Sequence, residues 1–174
     1  LFEVLYIALQ ASRGETSHFN LATPTARLMY SLMAFAAVAL LMATGSIGLL
    51  MLRSAQKHDP VAFAAGVGLV LGSVLGALTG LYLGGQPGHW AGGVASDADG
   101  LPFFGWSRTG GVLRVAHFIG LHAIQILPLT AWALSACYGA ERCWTMVKIT
   151  AILMVATTGL AFTQAWSGLP LFPA

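Results

Sequence analysis

The chain has 174 residues, 57% of them hydrophobic and 8% charged, with a formal net charge of +2 and a mean hydropathy of +0.77. A soluble domain carries about a quarter charged residues, so the composition excludes an ordinary soluble protein and points to the lipid bilayer. The few scattered charges offer no basic surface for nucleic acid.

In chain order, the opening stretch Leu1–Ser12 is apolar but too short to cross a membrane. It reads as the end of a fifth span or as an interfacial helix. It lacks a basic n-region and an A-x-A site, so no signal peptide is expected, and the missing Met fits a processed start or a helix that begins earlier. The segment R-G-E-T-S-H-F-N, Arg13 to Asn20, follows. It is either a solvated interfacial turn or a place where His18 reaches toward a ligand site.

Four long apolar runs predict spans over about 26–52, 61–83, 112–136 and 144–166. Each meets the roughly 20 residues needed to cross about 30 Å of hydrocarbon. Thr23-Pro24 and Asp59-Pro60 each set a capping side chain before a proline suited to the first helical position. The expected fold class is therefore all-α: one polytopic helical membrane bundle over 1–174, with four spans and a possible partial fifth.

The second run carries Gly68, Gly72, Gly76, Gly80 and Gly84, one every four residues. This small-xxx-small stripe flattens one helix face and invites close approach. Another helix is the common occupant, and a flat cofactor is the rarer one. The loop 84–111 then runs 28 residues, nine of them glycine, and its Trp90, Phe103, Phe104 and Trp106 predict that it folds down on the bundle or the membrane surface. His89 is an alternative to His18 as an exposed ligand. In S-D-A-D-G, Asp97 and Asp99 suggest a polar turn more than a calcium site, because further ligands are missing.

The third run holds R-V-A-H-F-I-G-L-H-A-I-Q, Arg114 to Gln125. An ionisable group at this depth faces a partner or has a function. His117 and His122 are five apart, so on a straight helix they point about 140° apart. His122 and Gln125 share a face, as do Arg114 and His117. Pro128 removes one helical hydrogen bond and predicts a kink. The short loop beyond carries Cys137 and Cys143, whose spacing matches no common metal pattern and reads as indifferent thiols more readily than as a disulfide. Glu3, Glu15 and Glu141 are the only glutamates, too few for a di-iron site, and no complete catalytic motif is present. The reading leans away from an enzyme.

R-x-x-x-S-H-F-N at Arg13–Asn20, with G-W-S-x-x-G-G and H-F-x-G-L-H-x-x-Q in Gly105–Gln125, resembles a family of small, uncharacterised bacterial multi-pass membrane proteins. The resemblance covers about a fifth of the chain. It implies a similar topology and weight on His18, His117, His122 and Gln125. It also implies an acidic residue where this chain has Val112, which leaves Arg114 without an obvious ion-pair partner.

The leading expectation is a membrane subunit that holds a redox cofactor and serves electron transfer or a larger electron-transfer or photosynthetic complex. Haem b comes first, with His117 and either His18 or His122 as metal ligands, Arg114 and Gln125 nearby, and Gly72, Gly76 and Gly80 giving the ring room. Copper, a chlorin or a carotenoid are alternatives. A second reading is a cofactor-free accessory subunit packing on partner subunits through Gly68, Gly72, Gly76, Gly80 and Gly84. A third is a small transporter with Arg114, His117, His122 and Gln125 along its path. The expected location is the bacterial inner membrane. The positive-inside count ties, Arg53, Lys57, Arg142 and Lys148 against Arg13, Arg27, Arg108 and Arg114. The absence of lysine on the long-loop side leans that loop toward the periplasm.

Overall fold

The computed structural model describes residues 2–54, 59–98 and 100–173. The readings made of Leu1, Lys57 and Asp99 lie outside these described residues. The elements run α1 (Phe2–Ser12), α2 (Pro24–Ser54), α3 (Pro60–Gly84), β1 (Trp90–Ala91), β2 (Gly111–Val112), α4 (Leu113–Leu121), α5 (Ala123–Ser135) and α6 (Ala140–Trp166). The all-α class holds, with one two-residue antiparallel strand pair joining the ends of the long loop, Trp90 opposite Val112.

Helices α2, α3 and α6 are long and apolar enough to cross a membrane. The expected span 112–136 is instead a broken one: α4 and α5 are bent by 41° and make a fourth crossing only if taken together. The break sits at His122, ahead of Pro128. The His122 amide is shared between the carbonyls of Phe118 and Ile119, 3.2 Å from each, which tightens the last turn of α4. Both signalled helix starts are present. The Asp59 carboxylate accepts from the amides of Val61 and Ala62, and Thr23 Oγ1 accepts from the amide of Ala26.

The chain divides into two compact units, Leu1–Leu40 and Leu41–Ala174. In the N-terminal unit the turn after α1 is closed by its own polar side chains. Gln10 donates to Glu15 at 3.1 Å, Asn20 donates to the Thr16 carbonyl at 3.0 Å, and Asn20 Oδ1 accepts from the Ala22 amide.

In the second unit α3 is the central element, packed by α4, α5 and α6. One core cluster joins Ala64, Ala123, Leu127, Ala131, Val147 and Met154, all buried. A second joins Val112, Val115, Ala116 and Ala161 beneath the loop. Between α3 and the bent span, the glycines decide the distance. A Cβ added at Gly68 would stand 2.8 Å from the Ala123 carbonyl oxygen. One at Gly72 would meet the Ile124 side chain at 2.5 Å, one at Gly76 would meet Leu121 at 2.4 Å, and one at Gly80 would meet the His117 ring at 2.8 Å. The stripe is thus occupied along four turns by the chain's own bent span. At Gly68, Gly72, Gly76 and Gly80 the neighbour is therefore a helix of the same chain.

The packing predicts a sharp contrast between two glycine-to-alanine changes. Gly68→Ala places a methyl against a backbone oxygen that cannot turn away, so it should destabilise the bundle by about 1–3 kcal/mol. Gly159→Ala on α6, where an added Cβ meets nothing within 4 Å, should be neutral or stabilising by up to about 1 kcal/mol. Thermal unfolding of both variants in detergent checks this. Equal effects would refute the close contact.

Candidate functional site: the bent span and its loop

His117 is held against α3. Its Nδ1 lies 3.0 Å from Thr79 Oγ1, and its ring rests on Gly80. Thr79 donates its single hydroxyl proton to the Leu75 carbonyl at 2.7 Å, so the hydroxyl oxygen accepts and His117 Nδ1–H donates. This is a side-chain tie between two helices, made possible by the glycine that lets the ring approach.

Arg114, one turn earlier, finds its partner in the loop. Its Nη2 donates to Asp97 Oδ2 at 3.0 Å and to the Gly105 carbonyl at 3.4 Å. Asp97 Oδ1 also accepts from Trp90 Nε1 at 3.0 Å and lies 3.1 Å from His89 Nε2. His89 is buried, and its ring packs on Trp90 with centroids 3.8 Å apart. The His89 carbonyl accepts from the amide of Leu113, the first residue of α4. One carboxylate therefore ties both ends of the loop to the start of the bent span. In the sequence alone Asp97 reads as part of a polar turn and Arg114 has no obvious partner. The signal was available: Asp97 is one of three aspartates in the chain, and the expected topology puts it on the same side as Arg114.

The hub sets the charges of its members. Burial lowers the pKa of His89 below 6.5, and the nearby Arg114 guanidinium lowers it further, while the Asp97 carboxylate works the other way. For Asp97, burial raises the pKa, but the hydrogen bonds from His89 and Trp90 and the charge of Arg114 outweigh it and hold the group below 3.8.

His122 and Gln125 face elsewhere. The Phe118 carbonyl is 2.6 Å from His122 Nδ1. A carbonyl only accepts, so Nδ1 carries the proton and, in the neutral ring, Nε2 keeps its lone pair. The ring lies on Phe118 with centroids 3.9 Å apart. Phe118 meets Trp106 edge to face at 6.1 Å, and Trp106 meets Phe104 at 4.7 Å. A run of aromatic rings thus descends from the loop to the helix break. Gln125 is exposed on the outer side of α5, and neither His122 Nε2 nor the Gln125 amide makes a hydrogen bond among the described residues.

His18 belongs to the N-terminal unit, where its Nδ1 is 3.0 Å from Ser17 Oγ and its Nε2 is 3.7 Å from Glu3. His117 and His122 keep separate company, one on α3 and one on Phe118. Among the described residues, no group of three or more His, Cys, Asp or Glu side chains is placed to hold a metal ion. Cys137 is exposed and Cys143 buried, both as free thiols. Sequence reasoning also passed over Ser73 and Thr158, whose buried hydroxyl oxygens have no partner among the described residues. Nothing in their apolar surroundings flags them. Protein-family models, curated proteins and solved structures were all compared with this chain, and none matches.

The hub predicts an acid-sensitive loop. A histidine whose folded pKa lies below its ordinary value contributes stability that is complete above about pH 6.5 and is lost as the pH falls through the folded value. Asp97 adds a loss at still lower pH, by the same sign. Amide exchange of segments 89–97 and 105–114, corrected for its intrinsic pH dependence, should speed up between pH 7.5 and 5. At pH 7.5, Asp97→Asn should speed it roughly tenfold, about 1.4 kcal/mol for a partly exposed hub. Unchanged exchange in both experiments would remove the hub from the account.

Proposed function

We propose that this chain is an accessory subunit of a membrane assembly and works by docking other membrane-embedded helices on the outer face of its bent span. The observation that carries this reading is the outward placement of His122 and Gln125. On the inner side, His117 is partnered by Thr79 and Arg114 by Asp97. Gln125 is exposed and His122 half-buried at the middle of the bent span, and in the hydrocarbon of a bilayer an unsatisfied polar group costs several kcal/mol. A docked helix supplies what they lack. The bilayer is that of the bacterial inner membrane, with loop 84–111 on the periplasmic side, a placement supported by the absence of lysine among the positive charges of that side.

A second reading rests on the state of His122. A histidine whose Nδ1–H is tied to a backbone carbonyl and whose Nε2 is bare is oriented as metal-ligating histidines are. On this reading the same face holds a haem b, with His122 as ligand, and the subunit carries electrons.

One preparation separates the two. Purified from its native membrane in mild detergent, an accessory subunit elutes in an assembly larger than its single 18.2 kDa chain and shows no visible band that shifts on dithionite reduction. A Soret band with iron, lost in His122→Ala but kept in His117→Ala, would replace the first reading with the second. A colourless, monodisperse single chain would contradict both.

A further inference from the structure

The outer face of α5 has an order of its own. His122, Gln125, Leu129 and Trp132 follow one another at intervals of three and four residues, the spacing of a seam along which two helices meet. Leu129 is 58% and Trp132 68% exposed. The upper half of the seam is polar and the lower half apolar, and Phe118 closes it above the break.

The two polar groups are complementary. His122 has spent its one ring proton on the Phe118 carbonyl, so it presents only an acceptor. The Gln125 amide carries two donor protons. Gln125 sits about 4.5 Å further along the axis at 1.5 Å per residue, and helix side chains lean back toward the N-terminus. Its amide therefore reaches toward the level of the histidine ring.

We propose that the helix docked on this face is α5 of a second copy of the chain, joined by reciprocal hydrogen bonds from Gln125 of each copy to His122 Nε2 of the other. The proposal rests on the docking reading above and names its partner. A two-fold axis along the membrane normal sets identical residues at the same depth, so a face holding both donor and acceptor satisfies itself twice in one contact. An unrelated partner would have to bring a donor and an acceptor of its own at matching depth. Polar side chains inside an apolar seam also fix the register of the pair, which leaves Leu129 and Trp132 of the two copies packed below.

The test is disulfide trapping in native membranes, with Cys137→Ser and Cys143→Ala removing the chain's own thiols. Leu129→Cys under mild oxidation should give a cross-linked species of twice the chain mass. Leu160→Cys, equally lipid-facing on α6 at 69% exposure, should not. Adding His122→Ala or Gln125→Ala should lower the yield at limiting oxidant roughly threefold to tenfold for each hydrogen bond lost. Co-expressing the two variants should recover part of it, since one of the two bonds re-forms in the mixed pair. The proposal is overturned if Leu129→Cys cross-links no better than Leu160→Cys, or if both alanine variants leave the yield unchanged. A photo-reactive benzoylphenylalanine at position 129 separates the two levels. Cross-linking only to a different protein overturns the second copy and keeps the docking reading, whereas cross-linking to no protein overturns both.

Discussion

The structure of the larger unit depends on how closely the bent span approaches α3. Gly68, Gly72, Gly76 and Gly80 remove the side chains that would hold the helices apart, and the span lies down on the surface they leave. In lipid there is little hydrophobic drive between helices, so close van der Waals contact and interhelical hydrogen bonds do the work. The cost of glycine within a helix, roughly 1 kcal/mol each relative to alanine, is offset by that contact. The same approach explains where His117 goes. At Gly80 its ring rests on α3, within reach of the Thr79 hydroxyl.

Once that face is fixed, the other polar residues have little freedom. Arg114 emerges just past the end of the loop and is caught by Asp97, which also takes Trp90 and His89. The break at His122 turns the helix by 41°, and the histidine binds the carbonyl one turn above it. What is left over is of two kinds: the buried hydroxyls of Ser73 and Thr158 with Arg114 Nε, and the exposed amide of Gln125 with Nε2 of His122. The proposed docking rests on the second kind: polar capacity on the exposed side of the bent span is what a partner could use.

Much of this was legible in the residues. The apolar runs located α2, α3 and α6, the three helices long and apolar enough to cross a membrane, because hydropathy and length carry that signal. Thr23-Pro24 and Asp59-Pro60 marked helix starts because capping is local. The glycine period announced a close contact but not its occupant, since a flat face suits a helix and a ring alike. Pro128 suggested a kink, yet the break came at His122, because the packing of Ile124 and Pro128 against Gly68 and Gly72 is a tertiary fact that no local signal carries. Asp97 was missed for a similar reason. Its partners at positions 89, 90 and 114 come together only through the pairing of β1 with β2. The partner of His117 has no local signal either, since Thr79 lies on another helix.

The central claim is that the two histidines of the bent span differ in what they face, although each donates through Nδ1. The most direct measurement is the ¹⁵N spectrum of the histidine-labelled protein in lipid bilayers, assigned with His117→Gln and His122→Gln. The account predicts a protonated Nδ1 and a bare Nε2 for both rings, with Thr79→Val shifting the Nδ1 signal of His117 and leaving His122 untouched. A proton on Nε2 of either ring, or a His117 signal indifferent to Thr79→Val, would contradict it.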